Sequence, residues 1–151
     1  MIRSTLTAAA ALMLLAGPDV AHSQQPVPQD AAPLGAAELR ELYSDQTWRW
    51  DDGAGYFAPD GEFHAVTDVE GRDYAYTIGT WRTTEQGQIC FEGEWNSADD
   101  SGEVTTCFSH VQADGTIYQR AEPDGEWVVF RSPDEAGEYT RFAQGDWVTV
   151  K

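Results

Sequence analysis

Glycine-bearing turn dipeptides recur along this chain at near-regular intervals: Asp52-Gly53, Asp60-Gly61, Glu70-Gly71, Gln86-Gly87, Ser101-Gly102, Asp114-Gly115 and Asp124-Gly125. Glycine reaches the positive φ that tight hairpins need, and aspartate hydrogen-bonds its own backbone there. Between the turns lie runs rich in aromatic and β-branched residues: Thr47–Asp51, Tyr56–Ala58, Glu62–Thr67, Tyr74–Thr83, Ile89–Trp95, Val104–Val111, Thr116–Ala121 and Trp127–Arg131. Short strands at this spacing predict an antiparallel meander of about eight strands. No long helical pattern intervenes, which excludes a parallel α/β sheet. The fold class is therefore all-β, closing as a small barrel or as a two-sheet sandwich, since closure removes exposed strand edges.

One segment departs from the alternation. Leu34–Tyr43 reads as a short helix, with Gly35 as N-cap, Glu38 at its third position, and Leu39, Leu42 and Tyr43 on one face. So short a helix is marginal alone and must dock on the sheet, plugging one end of a barrel. Six each of Trp, Tyr and Phe, all from Tyr43 onward, must supply most of the core.

The first residues carry a different message. Arg3 gives a positive start, Leu6 to Leu15 hold no charge, Gly17-Pro18 breaks any helix, and Ala21-His22-Ser23 offers the small residues of a cleavage site. This predicts a secretory signal over residues 1–23, cut before Gln24. Its apolar run is about half of the ~20 residues that span a bilayer. Residues 24–33 hold three prolines and little to bury, so they are expected to be a disordered lead-in to one domain over residues 34–151. The product is expected in the periplasm or the medium, and as a monomer.

The chain carries a net charge of −17 and one lysine, Lys151. Such a charge repels phosphates, which excludes nucleic acid and anionic membrane as partners and permits a cationic protein. It serves solubility equally well, or screening in a salty habitat.

Two cysteines in an oxidising compartment read as one disulfide. Folding the chain about Ala98-Asp99 sets Cys90 opposite Cys107, Ile89 opposite Phe108 and Phe91 opposite Thr106. Opposed residues on antiparallel strands have the short separation a disulfide requires. The alternative, a redox pair, lacks a Cys-x-x-Cys and any basic flank. In this register Ile89, Phe91, Trp95, Val104, Thr106, Phe108 and His110 share one face. Glu92, Glu94, Glu103 and the cysteines share the other, so the staple is expected on the wetter side.

Outside the signal segment the histidines are His64 and His110, too few for zinc, and no cofactor is implied. His64 is expected to face water. His110 follows an inner face, as a hydrogen-bonded interior histidine or as a ligand contact. Carboxylates abound: Asp51-Asp52, Asp99-Asp100 and Glu92 with Glu94 each offer a couple of glycosidase type, but that chemistry needs burial that hairpin loops rarely give. The loop Asn96–Glu103 is rich in oxygens and misses the EF-hand spacing. Trp48 and Trp50 alternate with Arg49 and Asp51, so both face one side, where Trp81, Trp95 and Trp127 can join them. A barrel lined this way is either packed solid or open to a small ligand. The candidate ligand contacts are Trp50, Trp81, Trp127 and His110.

Nine strings come in a recognisable order: Leu39–Leu42, Thr47-Trp48-Arg49-Trp50, Gly55-Tyr56-Phe57-Ala58, Gly79-Thr80-Trp81, Ile89-Cys90-Phe91, Thr106-Cys107-Phe108-Ser109-His110, Ile117-Tyr118-Gln119-Arg120, Gly125-Glu126-Trp127 and Gly145-Asp146. From Leu34 to Val148 the chain thereby resembles the domain-of-unknown-function family 995, small exported proteins of proteobacteria. The resemblance implies export and a paired cysteine, and no established activity. The triplet Gly79-Thr80-Trp81 in a meander also resembles lipocalin-like and avidin-like barrels, which hold small ligands at the barrel mouth. The function expected first is a non-enzymatic binding module for a small apolar or carbohydrate ligand. The second is an acidic protein that sequesters a cationic partner, as periplasmic inhibitors of lysozyme do. The third is a glycan-processing enzyme with paired carboxylates.

Overall fold

A computed structural model describes residues 26–69, 72–134 and 137–148. The expected leader over residues 1–23 and the Glu70-Gly71 turn lie outside them. In chain order the elements are β1 (Ala32–Pro33), α1 (Ala36–Tyr43), β2 (Gln46–Trp50), β3 (Gly53–Phe57), β4 (Glu62–Val69), β5 (Arg72–Thr83), β6 (Gln88–Asn96), β7 (Ser101–Ala113), β8 (Thr116–Ala121) and β9 (Val128–Arg131). A 3₁₀ turn (Glu138–Arg141) and β10 (Phe142–Gln144) complete them. The turn chemistry works as expected at Gly61, Gly87 and Gly115, all at positive φ, and Asp114 precedes Gly115 at φ 50°. Gly53 instead begins its strand and Gly102 is the second residue of its own, the turns closing on the residues before those strands.

The protein is mostly β: all ten strands join one antiparallel sheet in the order β10-β2-β3-β4-β5-β6-β7-β8-β9. All eight expected strands form, and two more seal the sheet at places the turn pattern does not mark. Near the N-terminus, Ala32 and Pro33 pair with Gln112 and Val111. There β7 has run past β6, whose ladder ends at Gln88↔Ser109. The lead-in expected to be disordered through Pro33 thus ends as a strand. At the other end β10 pairs with β2.

The sheet is a curled half-barrel rather than a sandwich or a fully laddered barrel. Its end strands β9 and β10 are linked by the 3₁₀ turn, and their inner rings, Phe130 and Phe142, meet 5.5 Å apart. Gly79 faces Gly93 across β5 and β6, and a Cβ on Gly79 would lie 1.9 Å from the Glu92 carbonyl oxygen. Only glycine allows that approach.

Helix α1 covers one end of the concave face. The Gly35 amide donates to Glu38 Oε2 at 2.9 Å, fixing its start, and Leu39, Leu42 and Tyr43 are its buried residues, as the spacing predicts. Tyr43 drops into a ring cluster with Phe57 (5.1 Å), Phe130 (5.8 Å) and Phe142 (5.2 Å). The helix is tied to the sheet by Thr83 Oγ1, which donates to the Ala36 carbonyl at 2.9 Å, and by Arg40, which donates to the Pro59 carbonyl at 2.8 Å.

Candidate functional site

Cys90 and Cys107 are directly opposed on β6 and β7, with Ile89 facing Phe108 and Phe91 facing Thr106. They form a disulfide at a Cα–Cα distance of 4.1 Å. The staple lies on the outer side with Glu92, Glu94 and Glu103, yet Cys90 is only 4 % exposed, so it is drier than the face that carries it.

The four candidate contacts do not converge. His110 is 0 % exposed. Gln119 Nε2 donates to the Tyr43 hydroxyl at 2.8 Å, and that hydroxyl lies 2.9 Å from His110 Nε2. Gln119 Nε2 also lies 3.2 Å from His110 Nε2, while the buried His110 Nδ1 has no hydrogen-bond partner among the described residues. Burial lowers the His110 pKa to about 4 and raises that of Tyr43, so both stay neutral near neutral pH. His110 is thus the interior histidine of the two alternatives. Trp81 faces inward but packs beneath α1: its indole donates to the Ala58 carbonyl at 2.8 Å, and the Arg40 guanidinium sits 4.8 Å above its ring. Trp127 precedes β9 and lies under Arg120 at 4.9 Å, on the outer side.

Trp50 is the exception, and it keeps company that the sequence only partly announces. Beyond the helix-covered end, the concave face opens into a cavity of about 420 Å³ lined by Trp48, Trp50, Phe91, Trp95, Phe108 and Asp52, with Thr67 and Thr106. Trp48 stands 84° to Trp50 and 70° to Phe108. Phe91 lies 19° from the plane of Phe108 at 6.1 Å. The rings come from β2, β6 and β7, which the curl brings face to face. Space for the Trp50 indole comes from β3: a Cβ on Gly53 would lie 2.6 Å from Trp50 Nε1, and one on Gly55 3.2 Å from its Cζ3. Gly53, which the sequence marks as a turn residue, and Gly55, which precedes the expected strand, form a seat for that ring.

The carboxylates named as enzyme candidates are spread over the surface. Asp51, its side chain 94 % exposed, pairs with Arg141 at 3.1 Å. Glu92, Glu94, Asp99 and Asp100 are exposed, and no carboxylate among the described residues is buried. His64 lies against Glu62 on the outer face, with its side chain 22 % exposed. That outer face is not uniformly polar. Tyr74, Tyr76 and Ile78 of β5 are 74 %, 43 % and 54 % exposed, and Ile78 lies opposite Glu94.

No helix among the described residues is long and apolar enough to cross a membrane. A family model described as "Protein of unknown function (DUF995)" matches residues 11–148. No curated protein and no solved structure matches the chain.

Proposed function

We propose that this chain, which belongs to the family of proteins of unknown function DUF995, is an exported, non-enzymatic binding module for a small ligand with an apolar face, of hydrocarbon or carbohydrate type. The observation that carries the reading is the cavity. Five aromatic rings that a packed core would close over instead bound about 420 Å³ open to solvent. That size and lining suit a small-molecule site: apolar walls supply burial, and a few polar groups set orientation. The disulfide accords with an oxidising compartment, and so with the leader read in residues 1–23.

Fluorescence titration with the neutral apolar dye N-phenyl-1-naphthylamine tests this. The dye binds with little dependence on salt, Trp95→Ala abolishes binding, and Trp127→Ala, outside the cavity, leaves it intact. Absence of binding, or binding indifferent to Trp95→Ala, overturns the proposal.

One observation favours the second reading, an acidic surface for a cationic protein: the exposed Tyr74, Tyr76 and Ile78 stand beside Glu92 and Glu94. Apolar contacts rimmed by acid are the pattern of such a surface. Its affinity falls steeply with salt and with substitution of Glu92, Glu94 and Glu103, and ignores Trp95→Ala.

A further inference from the structure

We infer that the ligand of the aromatic cavity carries a quaternary ammonium group. The inference rests on the binding reading above: it keeps the ligand with an apolar face and sets the carbohydrate alternative aside. Its first ground is the wall. The face of an aromatic ring is electron-rich and attracts a cation, tryptophan most of all, and the attraction grows where water is excluded. Here three tryptophans and two phenylalanines bound one space, with Trp48 near perpendicular to Trp50 at 6.4 Å and steeply inclined to Phe108 at 4.9 Å. Rings set at such angles form a box rather than a stack.

The second ground is charge. Asp52, exposed in the turn between β2 and β3, is the one charged residue of the lining, and no arginine or lysine joins it. Its neighbour Asp51 takes Arg141 at 3.1 Å, while Asp52 makes no ion pair among the described residues. The whole chain, at −17, repels anions and attracts cations.

The third ground is the scarcity of hydrogen-bond partners. The lining hydroxyls are those of Thr67 and Thr106, and Thr67 Oγ1 already donates to the Asp52 carbonyl at 3.3 Å. A sugar would leave most of its hydroxyls unpaired against rings. A primary ammonium would find only the Asp52 carboxylate and solvent to accept its N–H donors, and so keeps its water rather than burying against the rings. A quaternary ammonium has no N–H to satisfy, and its methyl groups bury against the rings as any apolar surface does.

Three probes distinguish the possibilities, each titrated against the full mature chain by tryptophan fluorescence at low salt. They are choline, its neutral carbon analogue 3,3-dimethylbutan-1-ol, and phosphocholine. Choline binds at least about tenfold tighter than its isosteric alcohol, the scale of a desolvated cation–π contact. Asp52→Asn lowers the affinity for choline several-fold and leaves that for the alcohol unchanged. Phosphocholine weaker than choline assigns the ammonium to a free solute; phosphocholine tighter assigns it to a lipid headgroup, and both uphold the inference. Equal affinity for choline and the alcohol overturns it and leaves the binding-module reading standing. Failure of both probes while the neutral dye still binds in a Trp95-dependent way overturns it likewise. Failure of the dye as well removes both readings.

Discussion

Beneath α1 the concave face of the sheet holds Tyr43, Phe57 and Phe130, all 0 % exposed, around the buried pair His110 and Gln119. At its other end the same face holds Trp50, Phe91, Trp95 and Phe108, all only partly buried, around an open cavity. Both ends are built largely of aromatic rings on the inner side of one sheet. They differ in cover. The helix adds three buried side chains to one end, and no element among the described residues crosses the other. Aromatic content alone therefore does not say whether a barrel interior is packed or open; the element that docks on it does.

The sharpest way to break that contrast is to remove one ring from each end. Phe57 touches Tyr43, Phe63, Trp81 and Phe91. Phe57→Ala should lower unfolding free energy by about 4 kcal/mol in urea melts, the cost of a large ring lost from a dry core. Trp95→Ala, at an edge already wet, should cost about 1 kcal/mol and be felt in binding instead. Equal costs would mean that the cavity is structurally as important as the core.

The staple lies between the two regions, since its neighbours Ile89 and Phe91 belong one to each. Replacing both cysteines by serine should cost about 3 kcal/mol, the chain-entropy value for a loop of this size, and leave a β-rich circular dichroism spectrum. Free-thiol titration of the native protein should find none.

A smaller effect distinguishes the regions by pH. The folded-state pKa of His110 is lowered from 6.5 to about 4. Between those values the unfolded chain binds the proton and the folded chain does not. Stability from this group is thus fully present above pH 6.5 and declines as pH falls toward 4. At pH 4.5 the loss should reach about 2 kcal/mol. Carboxylates also protonate near there, relieving the repulsion of a −17 chain. The measurement is therefore the difference between the wild type and His110→Gln, in which that shared contribution cancels. Dye binding at the open end should not follow the His110 titration.

Much of this was legible in the sequence, for local reasons. A hairpin fixes its own register, so the symmetry about Ala98-Asp99 was enough to pair Cys90 with Cys107 and to place His110 on the inner face. The spacing of Leu39, Leu42 and Tyr43 was enough for the buried side of α1. What depends on distant chain was not. β10 is three residues long and exists because β2 offers it an edge. β1 contains a proline and pairs only where β7 outruns β6. Likewise, alternation places Trp81 and His110 inward but cannot say that a helix from the other end of the chain will cover them. Trp127 is lost for a different reason: it falls one residue short of β9, outside its ladder with β8, and turns to Arg120. The Gly53 and Gly55 seat carries the one sequence signal that could have marked the cavity, small residues facing a tryptophan pair.

The pairing of β10 with β2 also sets an order in time. Thr47 Oγ1 donates to the Gly145 carbonyl at 2.7 Å, and the Trp147 amide donates back to Thr47 Oγ1 at 3.1 Å, so the second strand is finished by chain 98 residues further on. The hairpins from β2 to β8 need only neighbouring chain and can zip early, whereas this contact spans 98 residues and closes a far longer loop. Until that loop closes β2 is an open edge, with Thr47, 0 % exposed in the finished fold, still bare. An unpaired edge is a template for another copy. Phe142 to Val148 thus cover an edge that would otherwise stay open, and a chain lacking β10 should be the form most prone to aggregate.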